Sequence, residues 1–481
     1  MCLQAAAHKT TSLMKRFLLL LLLPVFVNCH AQTLHRKIEI AFQRLERDPQ
    51  MTYGTASLSV LNAATGEVLF SGNANTGLAP ASTLKTITSA TAYHLLGKDF
   101  TWETTLGHTG FVTADGTLNG DLIITGSGDP SLGSDRYEQT KSAVLLKRWV
   151  DAVSRAGIKK IAGRIISDDR LFGTQTLPGG WPWQDIGNYY GAGPSTLTWR
   201  ENQFDLIFKA GRVGEPAVLL RTEPDMSYLK IVNEVTTGGQ GTGDNVYAYS
   251  APYSNTVYLR GTYGIDLKKT ISASVPDPAL DLAQHLRSRL KASGINAESI
   301  STARELESEK RPFQGAAKIL DAYTSPTLDK IVYWFNQKSI NLYGEHLVKT
   351  IAWKQAKEIS TPNGVDVMKN FWSQKLRIDK NAMNIYDGSG LSPANRITTM
   401  SMAQILQSAK KESWFAGFYE SLPVYNNMKM KSGSISDVIA YAGYQTSSDG
   451  TPLVFSVIIN NYSGSSSTAR QKLFNLLDVL K

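Results

Sequence analysis

Three short polar motifs follow one another along the chain: Ser82-Thr83-Leu84-Lys85, Ser339-Ile340-Asn341 and Lys431-Ser432-Gly433. In that order, S-x-x-K, S-x-N and K-[ST]-G read together as a serine acyl-transfer site, with the serine of the first motif as nucleophile. A serine hydroxyl attacks poorly unless a base within hydrogen-bond reach takes its proton. Lys85 can be that base only as a neutral amine, so its pKa must fall from about 10.4 towards 7 or 8, a difference of about 3 to 4 kcal/mol. Burial and a second cation, Lys431, both push in that direction.

Each motif alone is weak. S-x-x-K recurs at Ser12/Lys15, Ser227/Lys230, Ser288/Lys291 and Ser408/Lys411, and S-x-N at Ser71/Asn73. Order and context select the triplet. Ser82 follows the turn Ala79-Pro80-Ala81 and opens a stretch of small residues, 83–92, that suits a buried helix. Three positions apart on such a helix, Ser82 and Lys85 share a face. Ser339 and Asn341 precede the apolar run Leu342–Val348, where the plain alternative is a helix cap. Residues 55–62 and 66–71 alternate about the turn 62–66 and read as a β-hairpin. Met428 to Ile435, Tyr441 to Thr446 and Pro452 to Asn460 read as successive strands, so Lys431 lies on the first of them. A closing amphipathic helix is expected from Ser467 to Leu480.

Lys15 and Arg16 precede the apolar run Phe17–Val27, followed by Cys29-His30-Ala31. This pattern is a secretory signal, too short to remain as a membrane span. Cleavage is expected after Ala31, with Met14 as an alternative initiator and lipidation at Cys29 as the rival form of export. No stable transmembrane helix is expected afterwards, and the location implied is the periplasm or cell envelope. Both cysteines, Cys2 and Cys29, fall in the removed segment, which excludes disulfides and thiol chemistry in the mature chain. Losing Lys9, Lys15 and Arg16 lowers the net charge from +9 to +6, spread among acids rather than clustered. This is a mixed solvated surface, and no nucleic-acid partner is expected. His35, His94, His108, His285 and His346 show no H-E-x-x-H spacing, and no G-x-S-x-G elbow occurs, so no metal or cofactor is expected.

Both chain ends carry a part of the site, so the domain that holds it must be split in sequence and whole in space. The expected division is a signal peptide at 1–31, a discontinuous catalytic domain at 32–99 and 312–481, and inserted, mostly β domains at 100–311. Strand-like runs such as Leu122–Ile124, Val218–Leu220 and Thr256–Leu259, with the Gly-rich turn 236–243, support the insertion.

With the triplet, the insertion and the export signal together, the chain resembles the class C low-molecular-mass penicillin-binding proteins, the D-alanyl-D-alanine carboxypeptidase/endopeptidase family. Segments 126–132 (Gly-Ser-Gly-Asp-Pro-Ser-Leu), 185–192 and 387–392 (Asp-Gly-Ser-Gly-Leu-Ser) are also similar to that family. The resemblance implies an α+β transpeptidase-like fold, an antiparallel sheet flanked by helices. It implies hydrolysis of peptidoglycan stem peptides ending in D-Ala-D-Ala through an acyl-enzyme at Ser82, with β-lactams as covalent inhibitors. It would make Ser339 a proton relay to the leaving amine, let Asn341 bond Lys85 and the substrate amide, and have Lys431 with Ser432 attract the terminal carboxylate. The backbone N–H groups of Ser82 and Ser434, the latter beyond Gly433, would form the oxyanion hole. Asp129 would either contact the stem peptide or merely make the Asp-Pro turn. Asp387 and Ser389 read as structural. Trp181, Trp183, Tyr189, Tyr190 and Trp199 would pack a core or bind glycan. The chain departs from the family at Ile340, often Asp, at Ser432, often Thr, and at Pro393, often Arg, although Arg396 lies close. A β-lactamase or esterase on the same scaffold, and a non-catalytic wall-binding protein, are the competing functions.

Overall fold

The strands read at the two ends of the chain meet in one sheet. The computed structural model describes residues 34–481, so the leader, both cysteines and the cleavage site lie outside the described residues. The chain divides into two units: the residues up to Pro80 with Ile397–Lys411 and Val424–Lys481, and Ala81–Arg396 with Glu412–Pro423.

The first unit is built on a six-stranded antiparallel sheet in the order Val424–Tyr425, Met428–Ile435, Val438–Thr446, Pro452–Asn460, Thr55–Asn62, Val68–Gly72. Thr55–Asn62 pairs with Pro452–Asn460 along its length, from Thr55 opposite Asn460 to Asn62 opposite Leu453. That register joins the two chain ends. The helix 34–46 and the helix Ser466–Leu477 pack Ile38, Phe42, Leu473 and Leu476 against Leu58, Val60, Phe455 and Val457. On the opposite face lies the helix Thr399–Ala409, where Thr399 Oγ1 bonds the hydroxyls of Ser57 and Ser59 (2.7 and 2.9 Å). Covered on both faces, the central strands are apolar throughout rather than alternating. The middle strand accordingly begins at Val438, three residues before Tyr441, and the closing helix yields to a 3₁₀ turn at Asp478–Leu480.

The second unit holds the helices Leu84–Leu96, Leu328–Gln337, Asn341–Gln355, Thr361–Leu376 and Phe415–Ser421. In the first of these the buried threonines satisfy their own hydroxyls on the backbone: Thr86 donates to Thr83 O (2.8 Å) and Thr91 to Ile87 O (2.7 Å). This is how a β-branched, polar stretch can sit dry inside a helical layer. Between the first two helices the chain leaves and returns at one place. Trp102 N donates to Ser325 Oγ (2.9 Å), and Glu103–His108 pairs with Lys318–Thr324, Glu103 opposite Thr324. The residues between form a seven-stranded sheet, and within its span a three-stranded and a four-stranded sheet whose core includes Phe204, Leu206, Val257 and Leu259. The expected strands are present. Beside them stand two helices that the sequence reading did not mark, Ser142–Arg155 and Pro278–Ala292, which pack Trp149, Leu282 and Leu286 on the large sheet. Among the described residues no helix is long and apolar enough to cross a membrane.

Candidate active site

Ser82 lies in a 3₁₀ turn, Ala81–Thr83, which runs directly into Leu84–Leu96. The turn places Lys85 one helical step on, and its Nζ lies 2.8 Å from Ser82 Oγ. The same nitrogen is 2.6 Å from Asn341 Oδ1 and 2.7 Å from the carbonyl oxygen of Ser389. Lys85 is wholly buried, and burial lowers its pKa from 10.5 to about 7 against the opposing charges of Asp387 and Glu345. As an ammonium, Lys85 donates to all three, Ser82 Oγ included; once neutral, it can keep its bonds to Asn341 and Ser389 and turn its lone pair to the Ser82 hydroxyl proton.

The Ser389 carbonyl is delivered by the loop 386–395, which the sequence reading took as structural. Asp387 is its knot: Oδ1 accepts from Gly390 N and Asn395 Nδ2 (2.9 and 2.8 Å), and Oδ2 from Ser392 N and Trp181 Nε1 (2.6 and 2.9 Å). Gly390 has φ +83°, and a Cβ there would overlap the backbone carbonyl of Ala81. Only glycine therefore lets the loop close on the residue before the nucleophile. Ala81 itself sits at φ +46°, a conformation that costs an alanine on the order of 1–3 kcal/mol.

Asn341 is the first residue of the helix Asn341–Gln355, whose N-terminus has no side-chain cap bond. The cap alternative therefore does not describe it. Its Nδ2 donates to the Tyr190 carbonyl (2.8 Å), which turns Oδ1 towards Lys85. Ser339, two residues earlier, has φ +56°. Further along, the helix is held by buried polar groups. Tyr343 OH donates to Glu201 (2.7 Å), Lys349 Nζ donates to the carbonyls of Phe172 and Gln175 (2.9 and 3.0 Å), and His346 bonds Gly128 O and Thr198 Oγ1 (2.9 and 2.6 Å). Burial lowers the His346 pKa to about 3, so the ring is neutral and can donate from Nδ1 and accept at Nε2. Residues 128–201 thus help to hold the helix that carries Asn341.

Lys431, Ser432, Gly433 and Ser434 lie on the strand Met428–Ile435 of the first unit, paired with Ala442, Tyr441, Ala440 and Ile439. Met428 and Met430 point into the core, so Lys431 faces the other way. Its Nζ donates to Ser432 O (2.8 Å), and the residue is 1% exposed. Asp129 is 2% exposed, with Oδ1 accepting from the backbone N and the hydroxyl of Ser131 (2.8 and 2.7 Å). Its observed contacts are those of the turn at Pro130, and its other oxygen, Oδ2, is buried without a hydrogen-bond partner among the described residues. Trp181 and Trp199 are buried as core residues, whereas Trp183 and Tyr189 are exposed. Arg396 Nη1 donates to the carbonyls of Pro393 and Asn395, within its own loop (2.6 and 2.7 Å).

Sequence reasoning missed Glu345, the Ser389 carbonyl and the Tyr190 carbonyl. Glu345 carries a faint signal, one turn after Asn341 on the same helix. The two carbonyls carry none, because a backbone oxygen has no residue type.

The D-Ala-D-Ala carboxypeptidase 3 (S13) family matches residues 38–479. The chain belongs to that family. As an S13 protein it is an enzyme, a serine-type D-Ala-D-Ala carboxypeptidase with the penicillin-binding fold that its motifs imply. The D-alanyl-D-alanine carboxypeptidase of Actinomadura sp. (strain R39) is 26% identical over 452 residues, covering 88% of this chain and 81% of that one. In three dimensions this S13 chain is similar to the crystal structure of penicillin-binding protein 4 (dacB) from Haemophilus influenzae, with a TM-score of 0.75, 22% identity, and coverage of 91% and 97%. The same Haemophilus protein complexed with a β-lactam matches with a TM-score of 0.70, 20% identity and the same coverage.

Proposed function

We propose that this S13 enzyme cleaves the terminal D-Ala from peptidoglycan stem peptides through an acyl-enzyme at Ser82, and that β-lactams acylate the same oxygen. The observation that carries the reading is the buried Lys85 amine, bonded at once to Ser82, Asn341 and Ser389 O. As Ser82 Oγ attacks the scissile carbonyl, its proton passes to Lys85 Nζ. The tetrahedral intermediate then expels D-alanine as its amine is protonated, with Ser339 as the relay. Asn341 holds Lys85 and the substrate amide. Lys431 and Ser432 attract the terminal carboxylate, and the N–H groups of Ser82 and Ser434 receive the oxyanion. For these last roles the support is the order of the motifs and the family, together with the buried Lys431 and the register of its strand. Water as acceptor gives carboxypeptidase action, and a cross-linked donor gives endopeptidase action by the same acylation.

The same reading takes residues 100–311 as inserted into a discontinuous catalytic domain, supported by the pairing of Glu103–His108 with Lys318–Thr324. It also places the protein in the periplasm or cell envelope, on the strength of the leader sequence.

The test is intact mass after incubation with benzylpenicillin, beside Ser82→Ala. A stable adduct on the wild type and none on the variant is the expected result. Rapid turnover of the adduct would favour a β-lactamase, and absence of any adduct would leave a wall-binding protein.

A further inference from the structure

The backbone of Gly388 and Ser389 is gripped on all sides. The Gly388 carbonyl accepts from Thr88 Oγ1 (2.7 Å), and the Ser389 carbonyl accepts from Lys85 Nζ (2.7 Å). The N–H groups of both residues go to a single side chain, Glu345. Its Oε1 accepts from Ser389 N (2.9 Å) and Gly388 N (3.2 Å), and its Oε2 from Gly388 N (3.1 Å). Glu345 is 0% exposed, and it reaches the loop because Gly344 and Gly388 pack backbone to backbone: a Cβ on Gly388 would overlap the Gly344 carbonyl.

A buried glutamate is expensive unless something needs it. Its ordinary structural use would be to satisfy two amides, which a glutamine could do only in part, because one end of a glutamine is itself a donor. Every hydrogen bond on the Glu345 carboxyl is a backbone N–H pointing at an oxygen. We propose that Glu345 is a positioning residue for acylation, acting on the Lys85 amine through the backbone of Gly388 and Ser389. The inference rests on Ser82 being the nucleophile and Lys85 its base.

The charged groups around Glu345 are Asp387 in the loop, Lys85 on the helix Leu84–Leu96 and Lys349 on its own helix. Burial and Asp387 push the Glu345 pKa up to about 8, against the pull of the amide bonds and Lys85. When ionised, its negative charge favours the protonated form of Lys85. Because Lys85 titrates near 7, below Glu345, the acid limb of the acylation profile should stay in place when Glu345 becomes neutral, and what is lost is the grip on the loop backbone.

The experiment follows the rate of benzylpenicillin acylation between pH 5.5 and 9 for the wild type, Glu345→Gln, Glu345→Asp and Thr88→Val, each first shown to melt cooperatively. For Glu345→Gln we expect acylation slower by about 10- to 100-fold at its optimum, as outer residues that orient a catalytic group typically cost, with the loss in the acylation step rather than in penicillin binding and the acid limb in place. Glu345→Asp keeps the carboxyl but loses reach, so it should be slow with the limb close to its wild-type place. Thr88→Val releases the same peptide without touching charge, and should be slow with the limb unmoved. Acylation by Glu345→Gln within threefold of wild type overturns the proposal, as does a loss confined to penicillin binding. If Glu345→Gln does not fold, wild-type rates in Thr88→Val overturn it instead. Should the wild type itself form no adduct at Ser82, the parent reading has failed rather than this one.

Discussion

The sharpest prediction concerns the protonation of Lys85. Burial holds its pKa at about 7, down from 10.5, which disfavours the ammonium by about 5 kcal/mol. The neutral fraction should then rise from roughly 10% at pH 6 to roughly 90% at pH 8, and acylation with it by about tenfold, levelling above pH 8. An ordinary exposed lysine would be neutral in less than about 0.1% of molecules at pH 7, and its rate would still be climbing at pH 9. The assay is the second-order rate of acylation by a fluorescent penicillin, measured across this range at constant ionic strength. Lys85→Arg supplies the control, because a guanidinium keeps the charge and the donors but cannot become a base. It should acylate about 10²- to 10⁴-fold more slowly, the usual worth of a positioned general base. A rate that is flat between pH 5.5 and 8.5, or Lys85→Arg within tenfold of wild type, would refute the assignment of Lys85 as base.

Two further substitutions test the frame around the amine. Asn341→Ala removes the acceptor for Lys85 and strands the buried Tyr190 carbonyl; at about 1–3 kcal/mol for a lost buried partner, acylation should fall about 10- to 100-fold. Gly390→Ala must adopt φ +83° and push a Cβ into the Ala81 carbonyl, so beyond the 1–2 kcal/mol or so of a left-handed residue it should displace Ser82. Its melting temperature should drop and its penicillin adduct be lost together, which calorimetry and intact mass would show.

Much of this enzyme was legible without coordinates where a local period carries the information. Ser82 and Lys85 are three residues apart on one helix, and the hairpin and closing strands follow from apolar runs between turn residues. What was illegible has a different physical origin. The two long helices Ser142–Arg155 and Pro278–Ala292 lie in a region whose Gly-rich turns and short strands dominated the reading. Asp129 sits in a segment similar to the family's, but its carboxylate is held by Ser131, a contact that no spacing reveals.

The sequence by itself determined the family and the class of reaction, and it singled out Ser82 and Lys85 as the proposed nucleophile and base, because these depend on residue types at short spacings and on the order of three motifs. Only the tertiary structure decided that Lys85 is wholly buried, which pulls its pKa down to about 7, and that the oxygens around it come from Asn341 and the Ser389 carbonyl. Those partners lie more than 250 residues from Lys85 along the chain and are brought to it by helix packing and by a loop knotted on Asp387. A pKa set by desolvation, and a hydrogen bond to a backbone oxygen, are properties of the packed interior, and no residue type records them.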